Sequence, residues 1–293
     1  MTTLLYPHER EAISRQIEND IEELTAVKYN DGHRNHLGAS LIGDTCNRRL
    51  WYSWRWVMFP KFSGRMQRLF NRGHKEEARF IEWLRDIGFS VWEGTDDGKQ
   101  FRISAVEGHF GGSLDGIAQA PATNPKYAKL AAIGPFLSEY KTHNDKSFTK
   151  LKKDGVIKSK PRHYAQMCTY GRKYAIRYAL YCAVNKDTDE LRFELIELNW
   201  DIGADLERKA EAVILAQSPP PRLSEYPTHM ECKFCDFKDI CHKGAPYEVN
   251  CRSCQFAVPA AGGRWHCGVH QALIPPEVIP VGCQQWKPVG RNQ

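Results

Sequence analysis

Apolar residues from position 66 to 87 recur at helical spacing, and Gly88 follows them as a C-cap glycine would. This periodicity predicts a helix of about five turns. The first 24 residues also have a helical pattern. Residues 37–59 hold an aromatic run, Trp51, Tyr52, Trp54 and Trp56, and we interpret it as buried helix packing rather than as a base-stacking surface.

Short strand-like runs follow the long helical pattern, at residues 89–92, 101–105, 114–118 and 136–142. A helical segment at about 163–177 precedes two more strand-like runs, at 178–184 and 191–198, and a helix at 201–216. This order predicts an α/β sandwich, in which helices flank a mixed central sheet. The prolines at 219–221 mark the end of this core, and seven cysteines lie beyond them.

Length and composition limit the class of protein. A chain of 293 residues predicts one main core with small appendages. We divide it into an N-terminal helical region (1–62), a core (63–200), a helix and cysteine segment (201–245) and a small metal-bound module (246–293). No apolar run approaches the roughly 18 residues that span a membrane, and residues 1–24 lack the features of a secretion signal. We therefore expect a cytoplasmic protein, with no membrane partner.

Two carboxylates and an amine form the first candidate site. Asp115 stands among glycines, where the backbone can bend and a ligand can approach closely. Glu139 and Lys141 are alternate residues of a predicted strand, so their side chains share one face. Carboxylates of this kind hold the divalent ions that activate water and stabilise charge in phosphodiester hydrolysis, and Lys141 could orient or deprotonate that water.

Asp115, Glu139 and Lys141, with the preceding Arg-Gly pair at 72–73, resemble the motifs of the PD-(D/E)XK nucleases. The resemblance is to phage-type exonucleases and to the iron–sulfur nucleases of bacterial recombination and CRISPR adaptation. It implies a restriction-endonuclease-like core and a Mg²⁺ or Mn²⁺ site at Glu77, Asp115, Glu139 and the backbone carbonyl of Tyr140. Glu77 lies four residues after Gly73 on one helical face, and His74 and Glu76 stay open as alternatives.

A second motif supports the resemblance. Gln166 and Tyr170 are similar to the QxxxY motif that follows the catalytic lysine in the helicase-associated members of that family. Their spacing of four places both side chains on one helix face. We expect them to contact the active site or a phosphate.

The cysteines fall into two groups, and Cys168 and Cys182 stand apart. Cys232, Cys235 and Cys241 form a CxxC with a third cysteine, one ligand short of the usual four, and Cys46 could complete the set. One cysteine before the core and three after it resembles the four-iron, four-sulfur (4Fe-4S) staple of the iron–sulfur nucleases. A structural zinc ion at the same residues is the alternative.

The second cysteine group lies in the last 48 residues. Its members, Cys251, Cys254, Cys267 and Cys283, could hold a tetrahedral Zn²⁺, and His266 or His270 could replace Cys283. A Gly- and Pro-rich tail of this length needs such a crosslink to fold. We expect a zinc module, which departs from the iron–sulfur nucleases.

Positive charge is concentrated beside the predicted catalytic strand. The whole chain has 41 basic and 35 acidic residues, a net charge of +6. Residues 141–163 alone hold eight Lys or Arg against two Asp, which also gives +6 (8 − 2). We interpret this segment as a loop that contacts the DNA backbone. Its candidate DNA-binding residues are Lys146, Lys150, Lys152, Lys153, Lys158, Lys160 and Arg162.

The sequence predicts a metal-dependent DNA exonuclease, bacterial or phage-encoded, that acts in DNA recombination, repair or phage replication. Its expected partners are DNA and a recombinase or single-strand-binding protein. Two alternatives stay open: a catalytically inactive iron–sulfur protein that binds DNA or senses redox state, and a structure-specific or guide-processing endonuclease.

Overall fold

The computed structural model describes residues 5–30, 32–59 and 61–290. The α-helices are α1 (Pro7–Lys28), α2 (Asn47–Trp54), α3 (Gly64–Asp86), α4 (Ala128–Ala132), α5 (Asp145–Ser159), α6 (Pro161–Tyr174), α7 (Trp200–Leu215), α8 (Met230–Lys233) and α9 (Lys238–Lys243). The strands are β1 (Leu37–Gly38), β2 (Ser90–Trp92), β3 (Arg102–Ala105), β4 (Phe110–Ser113), β5 (Gly116–Gln119), β6 (Phe136–His143), β7 (Tyr178–Asn185), β8 (Leu191–Glu197), β9 (Ala257–Ala260), β10 (Arg264–Cys267) and β11 (Ala272–Ile274).

A five-stranded sheet of order β2-β5-β6-β7-β8 forms the centre of the described residues. β6 and β7 are parallel, whereas the other neighbouring pairs are antiparallel, so the sheet is mixed as the sequence predicts. Two three-stranded sheets, β1-β4-β3 and β11-β10-β9, accompany it. The mixed α/β class is therefore confirmed.

Helices cover both faces of the central sheet because alternate residues of β6 enter two different cores. Phe136 and Tyr140 pack in a cluster with Phe80 and Leu84 of α3. Leu137 belongs to the other cluster, together with Tyr170 of α6. That second cluster also takes in residues of α2, α7 and the C-terminal strands, so the segment after α1 and the C-terminal tail pack on one side of the sheet.

The long helix α3 follows its sequence pattern closely. The Ser63 side chain accepts a hydrogen bond from the Met66 N–H and caps the helix at its start. Phe80, Ile81 and Leu84 form its buried stripe. The helix ends at Asp86, and Gly88 adopts φ 95°, a left-handed conformation that favours glycine.

Three elements differ from the sequence prediction. The basic segment after Lys141 is the helix α5 rather than a loop, and it is kinked where Gly155 adopts φ 70°. Asp115 lies at the bend between β4 and β5 rather than inside a strand. The cysteine-rich tail forms the β9–β11 sheet, although its sequence has little periodicity. Within the described ranges, no helix is long and apolar enough to cross a membrane.

Candidate active site

The bend that holds Asp115 is fixed against strand β6. Gly116, the first residue of β5, pairs with Ser138 of β6. A side chain at Gly116 would place its Cβ 2.7 Å from the Ser138 Oγ, so the close approach requires glycine. The backbone N–H of Tyr140 donates a hydrogen bond to Asp115 Oδ2 at 3.1 Å. Asp115 is therefore attached to the strand that carries Glu139 and Lys141.

The Lys141 ammonium joins the two carboxylates. Its Nζ lies 2.6 Å from Glu139 Oε1 and 3.0 Å from Asp115 Oδ2. It also donates to the carbonyl oxygen of Tyr140 at 2.9 Å, the same carbonyl that the resemblance assigns to a metal ion. The structure thus brings together the two acids and the amine that the sequence places at one spot.

Burial decides the protonation of this triad. Burial raises the pKa of Glu139 to about 7, and Asp115 adds to the rise while Lys141 opposes it. For Lys141, burial acts to lower the pKa, but the charges of Glu139 and Asp115 outweigh burial and the pKa is raised. Two acids share one ammonium, so Lys141 stays charged, while burial favours the protonated form of Glu139.

Glu139 is 2% exposed, and its charged partner is the Lys141 ammonium, 2.6 Å from Oε1. A buried carboxylate needs a cation or a hydrogen-bond donor beside it, and here the ammonium takes that place. A metal ion bound at Glu139 would therefore have to share or replace the Lys141 contact.

Helix α3 presents three candidate ligands in different surroundings. Glu76 is buried and forms an ion pair with Arg79, at 2.8 Å. His74 is exposed. Burial raises the pKa of Glu77, Asp115 raises it further, and Lys141 and His74 lower it. Glu77 is therefore the one of the three whose charge is coupled to both Asp115 and Lys141.

The QxxxY residues lie beside the triad on α6. Gln166 and Tyr170 are both buried, and the Gln166 Nε2 donates to the Tyr170 hydroxyl at 3.5 Å. Burial, and then the charges of Glu139 and Asp115, raise the pKa of Tyr170. Gly112 leaves room for this tyrosine, because a Cβ there would lie 2.5 Å from its hydroxyl oxygen.

A buried histidine–tyrosine network lies next to the triad, and the sequence analysis did not identify it. The Tyr181 hydroxyl is 2.7 Å from His163 Nδ1 and 2.9 Å from His143 Nε2. Burial, with nearby lysine charges, lowers the pKa of His143 to about 4 and that of His163 to about 3. The alternation of side chains along a strand could have indicated His143, because residues 139, 141 and 143 share one face of β6.

These histidines predict acid destabilisation. Unfolded histidine binds a proton near pH 6.5, whereas the folded pKa values are lower, so stability is present above pH 6.5 and is lost as the pH falls toward 4 and 3. Each histidine contributes a slope of up to about 1.4 kcal/mol per pH unit in that range. Urea unfolding of the protein and of His143→Gln between pH 7 and 5 measures the difference.

Glu139 has the opposite effect on the pH dependence of stability. Its raised pKa makes the folded state bind a proton between pH 4.5 and about 7, so its contribution to the free energy of unfolding rises as the pH falls through that range. The comparison with His143→Gln separates the two effects, since only the histidine term changes. We expect a shallower loss of stability in the variant. Parallel curves for both proteins would show that His143 is not neutral in the folded state.

Helix α5 carries the basic residues in two situations. Lys146, Lys150 and Lys153 are exposed and spaced along one helical face. The other basic side chains already have protein partners: Lys152 pairs with Glu190, Lys158 with Asp154, Lys160 with the Ser147 carbonyl, and Arg162 with Asp44 and Glu231.

The first cysteine group meets in one pocket. Cys46, at the start of α2, lines it together with Cys232, Cys235 and Cys241 from the segment of α8 and α9. Arg48, Arg49 and Arg222 line the same pocket, and Arg222 donates to the Cys241 carbonyl at 2.7 Å. Segments before and after the central sheet therefore bring these four cysteines to one pocket.

The second cysteine group lies in the β9–β11 module. The Cys254 N–H donates to the Cys251 carbonyl at 3.1 Å, and the Cys251 N–H donates to Ile279 at 2.8 Å. Burial raises the pKa of Cys251 to about 11, and Cys283, Cys254 and Cys267 act in the same direction. The other three thiols are therefore close enough to Cys251 for their charges to act on it.

No set of side chains is arranged around a single ion as the structure stands. Across residues 5–30, 32–59 and 61–290, no group of three or more His, Cys, Asp or Glu is placed to hold one metal ion. This applies to the carboxylates and to both cysteine groups. The predicted Mg²⁺ or Mn²⁺, iron–sulfur and zinc sites, and hence a metal-bound C-terminal module, remain predictions.

Comparison with known proteins gives limited similarity. No protein-family model matches the chain, and no curated protein matches it. The crystal structure of SSO0001 has a TM-score of 0.45 and 16% identity, covering 77% of this chain and 96% of that chain. An alkaline exonuclease (LHK-Exo) from Laribacter hongkongensis has a TM-score of 0.40 and 20% identity, covering 61% of this chain and 86% of that chain. The structure of LHK-Exo in complex with dAMP has a TM-score of 0.40 and 17% identity, covering 65% of this chain and 89% of that chain. Similarity at this level establishes neither a shared fold nor a shared activity.

Proposed function

We propose that this chain is a metal-dependent deoxyribonuclease that hydrolyses phosphodiester bonds from DNA ends. The observation that carries the proposal is the contact of one buried ammonium, Lys141, with both Asp115 and Glu139. A surface ion pair would need only one acid and no burial. A perturbed cluster of two acids and an amine is instead typical of a catalytic site.

Glu77, Asp115, Glu139 and the Tyr140 carbonyl would hold Mg²⁺ or Mn²⁺. The set consists of oxygen donors, which these hard ions prefer. Such an ion supplies an activated water and neutralises charge on the phosphate. Binding competes with the Lys141 contacts, because the ammonium now lies against both carboxylates and the Tyr140 carbonyl.

Lys141 acts as a donor in this proposal. Without a metal ion, the charges of Glu139 and Asp115 raise its pKa and keep the proton on the amine, so we assign to the side chain the orientation of a water or a phosphate oxygen. Tyr170 lies close enough for the charges of Glu139, Asp115 and Lys141 to act on it, and we assign to Tyr170 and Gln166 a contact with the active site or a phosphate.

The test is cleavage of end-labelled linear DNA with Mg²⁺ or Mn²⁺, with and without chelator. We expect metal-dependent cleavage by the wild-type chain, loss of cleavage in Asp115→Asn, and unchanged cleavage in the exposed control Asp96→Asn. Cleavage of circular DNA would identify an endonuclease. Wild-type protein that binds DNA but cleaves with neither ion would refute the proposal in favour of a binding protein.

Two neighbouring variants test which residue of α3 binds the metal ion. Glu77→Gln removes a charge coupled to Asp115, whereas Glu76→Gln removes one paired with Arg79. We expect the first to lower the cleavage rate about tenfold or more, which corresponds to about 1.4 kcal/mol of transition-state stabilisation. The second should affect thermal stability but not the metal dependence of the rate. The reverse pattern would assign the ligand to Glu76.

DNA contact by α5 is tested by salt dependence. Lys146, Lys150 and Lys153 are exposed together, and each phosphate contact contributes about 0.9 to the slope of log affinity against log salt on duplex DNA. The triple methionine variant is therefore expected to lose up to about 2.7 of that slope. Lys152→Met, which breaks the pair with Glu190, is the control. Equal slopes in all three proteins would exclude α5 from the interface.

The Cys46 pocket is the proposed place of a 4Fe-4S cluster. Each thiolate of such a cluster binds its own iron atom, so the sulfurs stand farther apart than around a single ion. Four thiols lining one pocket fit that requirement. Iron analysis of anaerobically purified protein tests it: four iron atoms lost in Cys46→Ser would support the cluster, and zinc in their place would contradict it. A recombinase or single-strand-binding partner and a cytoplasmic location stay predictions.

A further inference from the structure

Two arginines are buried in the interior without an acidic partner. Arg55, which follows α2, is 0% exposed, and Arg252, between Cys251 and Cys254, is 1% exposed. In the described part of the chain, neither guanidinium forms a salt bridge with a carboxylate. Arginine keeps its charge at any physiological pH, so it cannot escape burial by losing a proton, as lysine can.

The hydrogen bonds of these two guanidinium groups are incomplete. Arg55 Nη1 donates to the carbonyls of Ala257 at 2.9 Å and Arg252 at 3.3 Å. Arg252 Nη1 donates to the carbonyl of Arg34 at 3.2 Å. The Nε and Nη2 atoms of both residues are buried without a partner. Four buried donors on two positive groups are a large departure from the usual pairing of interior polar atoms.

Tryptophan stacking offsets only part of this cost. The Arg252 guanidinium lies 4.3 Å from the ring centre of Trp56, and both guanidiniums lie 5.1 Å from that of Trp265. A desolvated cation–π contact contributes about 2 kcal/mol. Burying an ion costs several kcal/mol even after relaxation, and here two like charges are buried side by side. A nearby negative charge would offset the remaining cost.

The reactive groups next to the two arginines are the thiols of the second cysteine group. Arg252 is part of the turn from Cys251 to Cys254, and Arg55 donates to the backbone of that turn. Burial lowers the pKa of Arg55 to about 10, and a charge on Cys254 opposes this effect. Neutral thiols supply no negative charge. Four thiolates around one Zn²⁺ carry a net charge of −2 (−4 + 2), which equals the charge of the two arginines in magnitude.

We propose that Zn²⁺ draws Cys251, Cys254, Cys267 and Cys283, which are not arranged around one ion in the described structure, into a zinc–thiolate centre whose charge is balanced by the buried pair Arg55 and Arg252. The centre is separate from DNA cleavage and does not depend on it. Arg55 belongs to the segment after α2, and its carbonyl partners Arg252 and Ala257 belong to the tail. Zinc loading therefore stabilises the attachment of the C-terminal module to the N-terminal half of the chain.

The inference predicts opposite effects of Arg55→Met in the two metal states. In the zinc-loaded protein the variant removes a counter-charge, so zinc affinity should fall about ten- to hundredfold and the thermal midpoint should fall. In the zinc-free protein it removes an unpaired buried charge, so the midpoint should rise above that of the zinc-free wild type. A role in packing alone lowers both midpoints equally.

The experiment uses the full chain purified anaerobically. Zinc affinity is measured by competition with a chromophoric chelator, and melting is followed with zinc and with chelator. Cys267→Ser assigns the ion and should lose one zinc per chain. Arg264→Met is the matched control, because Arg264 is an exposed arginine in the same module. Arg55→Lys keeps the positive charge but lacks the planar guanidinium and its several N–H donors. Its zinc affinity should lie between those of the wild type and Arg55→Met.

Three results would overturn the inference. One is zinc content that does not change in Cys267→Ser. Another is an Arg55→Met protein with wild-type zinc affinity. The third is a zinc-free Arg55→Met protein that melts below the zinc-free wild type or does not fold, because the charge would then not be what destabilises that state. DNA cleavage is not a readout here, so failure of the nuclease proposal leaves this result interpretable.

Discussion

Replacing Lys141 with methionine is expected to lower the DNA cleavage rate by about 10²–10³-fold. The ammonium contacts Glu139 and Asp115 and is the charged donor at the centre of the site. Methionine fills a similar volume but donates no hydrogen bond. DNA binding at low salt should be nearly unchanged, because the α5 lysines remain. Single-turnover cleavage on saturating DNA separates the two quantities.

Loss of Lys141 also leaves two partly or fully buried carboxylates without their common cation. Breaking a buried ion pair from one side costs about 3–5 kcal/mol. The folded fraction must therefore be measured at the assay temperature. Lys146→Met is the control, because it removes an exposed lysine of α5 and leaves the triad intact. A folded Lys141→Met protein that cleaves at the wild-type rate would contradict the assigned role.

The second large effect is on stability, for Phe80→Ala. Phe80 is fully buried on α3, and its ring stacks on Tyr140 at a centroid distance of 5.7 Å. It also contacts Trp83 and Phe193 edge-on. Removing a buried phenylalanine of this kind costs about 3–5 kcal/mol in free energy of unfolding. Urea denaturation measures this loss directly.

Phe70→Ala is the matched control for Phe80→Ala. Phe70 lies on the same helix but is 43% exposed, and its ring contact is with Phe62. We expect a loss of about 1 kcal/mol or less. Equal losses for the two variants would mean that α3 does not anchor on the strand that carries Glu139 and Lys141.

The sequence predicted the parts of the site that depend on local periodicity. The helical repeat of α3 and the alternation along β6 are local, so both elements and the shared face of Glu139 and Lys141 could be derived. The convergence with Asp115 followed from the family motif rather than from spacing. The structure places that aspartate at a bend, where the Tyr140 N–H holds it.

Features that depend on distant contacts could not be derived from the sequence. Helix α5 is rich in lysine, and its few buried residues, Phe148, Leu151 and Val156, give too weak an apolar repeat. Arg55 directly follows the aromatic helix α2, and Arg252 lies in the turn from Cys251 to Cys254. The two residues are 197 positions apart in the chain, so their common burial depends on the folded structure. The His143–Tyr181–His163 network likewise requires β6, β7 and α6 to be assembled first.

The most direct test of the central claim is Mn²⁺ binding followed by electron paramagnetic resonance, on wild-type chain and on Asp115→Asn. Mn²⁺ reports on the oxygen ligands, because the thiol groups favour softer metals. The nuclease site predicts saturable binding by the wild type that the variant loses, together with cleavage. Identical Mn²⁺ binding by both proteins would contradict a metal site built on Asp115 and Glu139.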